Sequence, residues 1–210
     1  VPVGWWQVGQ VVSERFVLEI SEDIPVGAYR LDVSVLASDS TTHLPMYQNG
    51  DTSPLDRVFL GYVAVPWKGE MDIAQAVDAN LGDEIGLLGF EVADDLSPGS
   101  DFDVVLYWEA RRPPEENYVV FVHLLDAEGQ IVANHDGSPM QARYPTRAWL
   151  PGDIVRDVHR LVLDSSVPVG EYQLKVGMYR WPDLDRLPVW DSQGVEQADR
   201  AFVLQSVRVQ

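Results

Sequence analysis

Four histidines and 33 acidic residues in a 210-residue chain are the raw material for acid–base or metal chemistry. The adjacent pair His135-Asp136 has the makings of a metal-ligand pair or of an acid–base pair. Zinc needs three or four ligands at suitable spacing, and the chain offers neither a His-x-x-x-His pattern nor any cysteine. The structural alternative is favoured: Asp136 caps the turn at Gly137-Ser138-Pro139 through its own carboxylate. His123 shares a strand face with Val119, Phe121 and Leu125. An imidazole among apolar neighbours reads as a core residue donating to a backbone carbonyl. Asp126 opens the run Asp126-Ala127-Glu128-Gly129, with Gly at the fourth turn position. That suits a type I turn closing a hairpin with a Gly bulge.

Paired carboxylates occur at Asp94-Asp95, Asp101 with Asp103, Glu115-Glu116, and Asp183 with Asp185. Glycoside hydrolysis needs two carboxyls roughly 5–9 Å apart in a cleft, one with a raised pKa. These pairs instead sit among Pro, Ser and Gly, where solvation keeps them ordinary acids. A calcium loop is compatible with such hard oxygens, but the EF-hand spacing is missing. There is no Gly-x-Ser-x-Gly elbow. The stretch from Gly82 to Gly89 lacks the Lys-Ser/Thr ending of a phosphate loop. The expectation is a non-catalytic chain with no cofactor.

Seven tryptophans are the strongest functional hint. Trp6 and Trp149 each stand just before a Gly turn, which points to a shared packing role with the indole N–H on backbone. Trp108 alternates with Leu106 and reads as inward-facing. Trp5, Trp67 and Trp181 lie in loops or at strand ends, placed to stack on sugar rings or to anchor an interface.

The elements that hold these residues read as strands. Val12, Glu14, Phe16, Leu18 and Ile20 form a mostly apolar alternate set, as do Val155, Asp157, His159, Leu161 and Leu163. Tyr29 to Val35, Phe102 to Trp108 and Tyr172 to Met178 alternate likewise, and Tyr118 to Leu125 is apolar on both faces. Period two predicts half-buried antiparallel strands, and a doubly apolar run predicts a central one. Ile131 to Asn134 pairs back onto that central strand. Turn signals such as Pro25-Val26-Gly27, Pro98-Gly99 and Pro168-Val169-Gly170 punctuate the chain. Only Met71 to Asn80 leans helical, and residues 67–81 read as a linker. The net charge of −18 argues against a nucleic-acid partner or an anionic membrane surface. A 46% hydrophobic content is enough for a core. No apolar run is long enough for a membrane span, and the stretch that starts at Val1 shows no basic n-region and no apolar h-region. The absence of an initiator Met suggests a fragment or processed product.

The chain repeats itself. A shift of 143 positions carries Trp6 and Gly9 onto Trp149 and Gly152, Leu18 onto Leu161, and Pro25-Val26-Gly27-Ala28-Tyr29 onto Pro168-Val169-Gly170-Glu171-Tyr172. Leu31 and Val33 land on Leu174 and Val176, Leu44-Pro45 on Leu187-Pro188, and Phe59 on Phe202. One inserted residue later, Val63-Ala64-Val65 matches Val207-Arg208-Val209. Residues 1–66 thus repeat residues 144–210, while residues 82–143 have no second copy. The reading is all-β: immunoglobulin-like antiparallel β-sandwich modules in tandem, the first incomplete. Residues 1–66 form the partial module, with about four strands, and residues 82–210 the complete one. Alternatively the short repeat is itself a whole unit and residues 82–143 are an insertion. Half a sandwich leaves an apolar face. Residues 1–66 are therefore expected to complete a sheet with the second module or to bury that face against another chain, a homodimer included. A strand-rich stretch like 82–143 is expected upstream of Val1, preceded eventually by hydrophobic spans.

The run Tyr118 to Ala133, with His135-Asp136-Gly137-Ser138-Pro139, Tyr144-Pro145-Thr146 and Trp149-Leu150-Pro151-Gly152, resembles a family. Similar segments occur in the C-terminal extracytoplasmic region of multi-spanning, mannosyltransferase-like glycosyltransferases of Chloroflexi-type bacteria. The resemblance covers most of 82–210 and, in its second half, 1–66. It implies a soluble, cell-surface appendage tethered to a membrane enzyme, with a structural or interaction role and no known catalytic one. His123, Asp126, His135, Asp136, Tyr144 and Trp149 are its signature positions. The expected partner is another protein chain or a glycan, with no direct membrane insertion.

Overall fold

The computed structural model describes residues 7–48, 52–67 and 73–210. Trp5 and Trp6 lie outside the described residues. Within them the chain is strand and loop, and its helical segments are short 3-10 turns such as Thr146–Ala148. Strands β1 (Gly27–Val33) and β2 (Val58–Val65) form a two-stranded antiparallel ladder of their own.

The remaining strands build one β-sandwich. One sheet has β3 (Gln75–Leu81), β4 (Ile85–Glu91), β6 (Asp101–Ala110), β9 (Ile154–Val162) and β12 (Val189–Trp190), in the order β12-β3-β4-β6-β9. The other has β5 (Asp95–Leu96), β7 (Tyr118–Leu125), β8 (Ile131–Gly137), β10 (Gly170–Arg180) and β13 (Phe202–Val209), in the order β5-β13-β10-β7-β8, with β11 (Asp185–Arg186) also on β10. Pairing is antiparallel except for the parallel contact of β5 with β13. Leu87, Leu106, Trp108, Val120, Val122, Leu124, Leu161 and Leu174 are fully buried between the sheets. Each such side chain contributes about 1.5–3 kcal/mol relative to exposure. This is the two-sheet, immunoglobulin-like sandwich that the strand rhythm implied.

The expected linker is corrected. Gln75–Leu81 is strand β3, so the sandwich begins before residue 82. Ala76 and Ala79 suggest a helix, but Val77, Ala79 and Leu81 alternate inward and the ladder to β4 takes up the backbone. Tertiary pairing here overrides local propensity.

The repeat is real at the level of single ladder pairs. Gly27 faces Val65 and Val33 faces Val58, just as Gly170 faces Val209 and Val176 faces Phe202. A one-residue irregularity falls at Leu31/Asp32 in one ladder and at the equivalent Leu174/Lys175 in the other. The hydroxyl of Tyr29 donates to Pro25 O at 2.7 Å, and that of Tyr172 to Pro168 O at 2.8 Å. Gly9 and Gly152 occupy the same left-handed turn position, with φ of 82° and 86°. The inserted residue precedes β13, so Val58 corresponds to Phe202 and the sequence match of Phe59 with Phe202 is one residue out of register.

One expectation for the first copy fails, and of the two ways it was expected to cover its apolar face one is not used. Residues 11–20, equivalent to β9, form no strand. In the second copy β9 pairs with β6, and β6 has no counterpart earlier in the sequence; without a ladder partner the period-two pattern alone does not make a strand. Nor does the first copy add to a sheet of the sandwich. It leans on the sandwich through its outer side instead. Ala28 and Ala64 pack against the sandwich core, and the Ala28 N–H donates to Arg143 O at 2.7 Å. A Cβ on Gly27 would stand 3.0 Å from that same oxygen. In the second copy the equivalent outward pair is Glu171 and Arg208, an exposed ion pair at 3.6 Å. Small residues replace charged ones where the outer side is covered.

Ala28→Glu is therefore expected to loosen this seat, because a carboxylate cannot be buried there without a partner. Hydrogen exchange of the β1 and β2 amides should quicken by at least about tenfold while β7 and β10 are unchanged. Equal protection in the variant would refute this seat.

Candidate functional site

The β7–β8 hairpin positions the histidines. The Asp126 carboxylate accepts the N–H groups of Glu128 at 3.1 Å and Gln130 at 2.7 Å, and Gly129 takes the left-handed position. The resulting register places Phe121 opposite Asp136 and His123 opposite Asn134 on the outer face. Val122 opposite His135 and Leu124 opposite Ala133 lie on the inner face.

Two sequence expectations are thereby corrected. His123 is not a core residue bonded to a carbonyl; its Nε2 meets the Asp136 carboxylate at 2.9 Å on the outer face. Asp136 is not the cap of the following turn, since it lies within β8. A strand apolar on both faces does not reveal which face turns inward, and the hairpin register decides it. Burial opposes ionisation of Asp136, but hydrogen bonds from His123, Tyr179 and Asn134 outweigh it and hold its carboxyl below the usual range.

His135 points the other way, to the seam where the edge strands β8 and β9 meet. Its Nδ1 lies 2.8 Å from Nδ1 of His159, and His159 Nε2 lies 2.7 Å from the Asp157 carboxylate. Asp157 and His159 are each 1% exposed. With both rings neutral, a carboxylate that accepts from His159 Nε2–H leaves His159 Nδ1 to accept from His135 Nδ1–H. The second Asp157 oxygen accepts the Met140 N–H at 2.7 Å. Met140, Gln141 and Ala142 have φ of 51°, 57° and 63°, a left-handed run that wraps the chain over this seam. Burial, and then repulsion by His159, push the His135 imidazole below its ordinary pKa. The Asp157–His159–His135 chain is a polar clamp between two sheets. Its only sequence sign was a polar pair on the otherwise apolar face of β9.

Tyr144 and Trp149 close the end of the sandwich. The Trp149 indole N–H donates to Tyr144 O at 2.9 Å, and the rings meet edge to face at 6.2 Å. The Tyr144 hydroxyl donates to the Asp153 carboxylate, which also accepts Leu150 N–H. Burial, then the hydrogen bond to Asp153, push the Tyr144 phenol upward. No pattern in the sequence pointed to Glu84, a buried carboxylate that accepts from Arg112, from Glu115 N–H and from the Tyr118 hydroxyl. It pins the loop between β6 and β7.

The paired carboxylates stay at the surface. Arg160 lies between Asp101 and Asp103, and Arg180 between Asp183 and Asp185. Among the described residues no group of three or more His, Asp or Glu side chains is arranged to hold a metal ion. Trp67 is half-buried with its ring 6.1 Å from that of Tyr107. Trp181 is 67% exposed. Of the three expected sugar-stacking tryptophans, Trp181 is open, Trp67 is partly covered, and Trp5 lies outside the described residues.

The first copy holds the largest discrepancy. Leu161 and Leu163 are 0% exposed, whereas their equivalents Leu18 and Ile20 are 66% and 51% exposed. Leu18, Ile20, Ile24, Tyr29, Leu31 and Val63 line an apolar hollow of about 140 Å³.

No family model matches the chain, and no curated protein matches it. Among solved structures, the CARDB domain of the PF1109 protein of Pyrococcus furiosus, in complex with di-metal ions, aligns with 65% of this chain and 92% of its own length. The TM-score is 0.33 and the identity 11%. No helix among the described residues is long and apolar enough to cross a membrane.

The depressed His135 imidazole sets a pH dependence. The folded state disfavours its protonation, so the seam's stability is full above about pH 6.5 and is lost as pH falls below that toward the folded value. The melting temperature should fall between pH 7.5 and pH 5, and His135→Gln should flatten that fall. Parallel pH profiles for the two proteins would rule the seam out as the source.

Proposed function

We propose that this chain is a non-catalytic β-sandwich module that works by binding another polypeptide through its first repeat. The observation that carries it is the exposure of Leu18 and Ile20 at positions where the second repeat buries Leu161 and Leu163. Contiguous apolar surface at core-type positions marks a binding face. The polar side chains that suggested chemistry are engaged in holding the sandwich together: His123 with Asp136, His135 with His159 and Asp157, and Asp126 in its turn. The resemblance of residues 118–152 to the tail region of membrane glycosyltransferase-like proteins supports an extracytoplasmic, tethered setting.

A second reading, carbohydrate binding, is favoured by one feature. Trp181 is exposed beside charged groups, Arg180 with Asp183 at 3.2 Å and Arg200 with Asp185 at 3.4 Å, that could bond sugar hydroxyls.

Two measurements test these readings. An environment-sensitive apolar dye should bind the whole chain, and the double variant Leu18→Ser, Ile20→Ser should lose most of that signal without loss of the sandwich's melting transition. Unchanged dye binding would remove the interaction face. For the second reading, titration with soluble oligosaccharides should give saturable quenching that Trp181→Ala abolishes; no saturable quenching eliminates it.

A further inference from the structure

The intact repeat shows what covers such a face. In it, β9 has β6 as its ladder partner and the sheet of β7 and β10 across the core. We infer that the first repeat receives the leading half of another copy of the same folding unit, a polypeptide patterned like residues 75–143, with a β6-like strand added antiparallel to residues 11–19. This rests on the interaction reading above and names its partner.

The register follows from the repeat. β6 pairs Phe102 with Leu161, Val104 with His159 and Trp108 with Val155. Shifted by 143 positions, these partners become Leu18, Phe16 and Val12. All three are apolar, so the added strand needs apolar residues at alternate positions. Where the second repeat has His159 in its polar seam, the first has Phe16, 74% exposed. The incoming half therefore needs no counterpart of His135 at that contact.

A second molecule of this sequence is not the favoured occupant. Its strands β3, β4, β6, β7 and β8 are already paired within its own sandwich, so it has no spare leading half to offer. Strand addition to a segment that belongs to no ladder supplies main-chain hydrogen bonds for affinity and alternate pockets for specificity. Residues 11–20 belong to no strand and expose Phe16, Leu18 and Ile20, which is the state such a segment has before its partner arrives.

The probe is a synthetic peptide with the sequence of Asp101–Ala110, titrated into the isotopically labelled full chain beside a scrambled peptide of the same composition. Saturable shift changes centred on residues 11–19, with amide exchange there slowed at least about tenfold, are expected from the native-order peptide alone. Leu18→Asp should abolish them. Absence of binding, or equal binding by the scrambled peptide, overturns the inference. So does protection of residues 11–19 that appears without peptide and rises with protein concentration, since a second copy would then be the occupant. If the dye of the preceding test binds while the peptide does not, the interaction reading stands and only the half-sandwich partner is lost. If neither binds, both fall.

Discussion

A sheet with one apolar face must have that face covered, and this chain writes the same strand pattern twice while covering it once. In the second copy, β9 shares a sheet with β3, β4 and β6, β10 and β13 share the other with β7, and the two sheets bury their inner residues against each other. In the first copy, β1 and β2 keep their mutual ladder, because hydrogen bonds between neighbours along the hairpin do not depend on a second sheet. The segment that would form the opposite sheet keeps its apolar alternation but joins no ladder. Leu18 and Ile20, 66% and 51% exposed, forgo part of the roughly 1.5–3 kcal/mol that full burial of each side chain contributes. That is why function is sought at this face.

The buried polar groups follow a second constraint: each must find a partner. Asp157 and His159 are enclosed at the seam of two sheets, where a charge or lone imidazole would be expensive, and they meet each other, His135 and the Met140 N–H. Glu84 does the same at the opposite loop. Such groups hold the edges in register. The outward faces obey the reverse logic. Glu171 and Arg208 pair in water, while their first-copy equivalents are Ala28 and Ala64, because there the outer side is pressed against Arg143. One ladder position thus changes character with what lies against it.

Much of the architecture was legible beforehand. Period-two alternation located Phe102 to Trp108, a run apolar on both faces located Tyr118 to Leu125, and the Asp126 to Gly129 turn located the latter's hairpin neighbour. The match of Pro25 and Tyr29 with Pro168 and Tyr172 located the repeat, down to a shared tyrosine-to-proline hydrogen bond. Met71 to Asn80 misled because alanine favours helix where no ladder intervenes, and residues 11–20 misled because alternation reports the wish for a partner and not its presence. Of the candidate site, His123, Asp126, His135, Asp136, Tyr144 and Trp149 were visible as residues, while Asp157, His159 and Glu84 drew no attention as partners.

By itself the sequence determined the all-β class, the duplicated unit, the turn chemistry and the alternation of faces, since these depend on spacing within a few residues. Only the tertiary structure decided which side of β7 faces the core, which histidine reaches which carboxylate, and which copy of the apolar face is covered. Those outcomes depend on ladder register and on contacts between residues far apart in the chain, and a one-residue change of register would reverse every face.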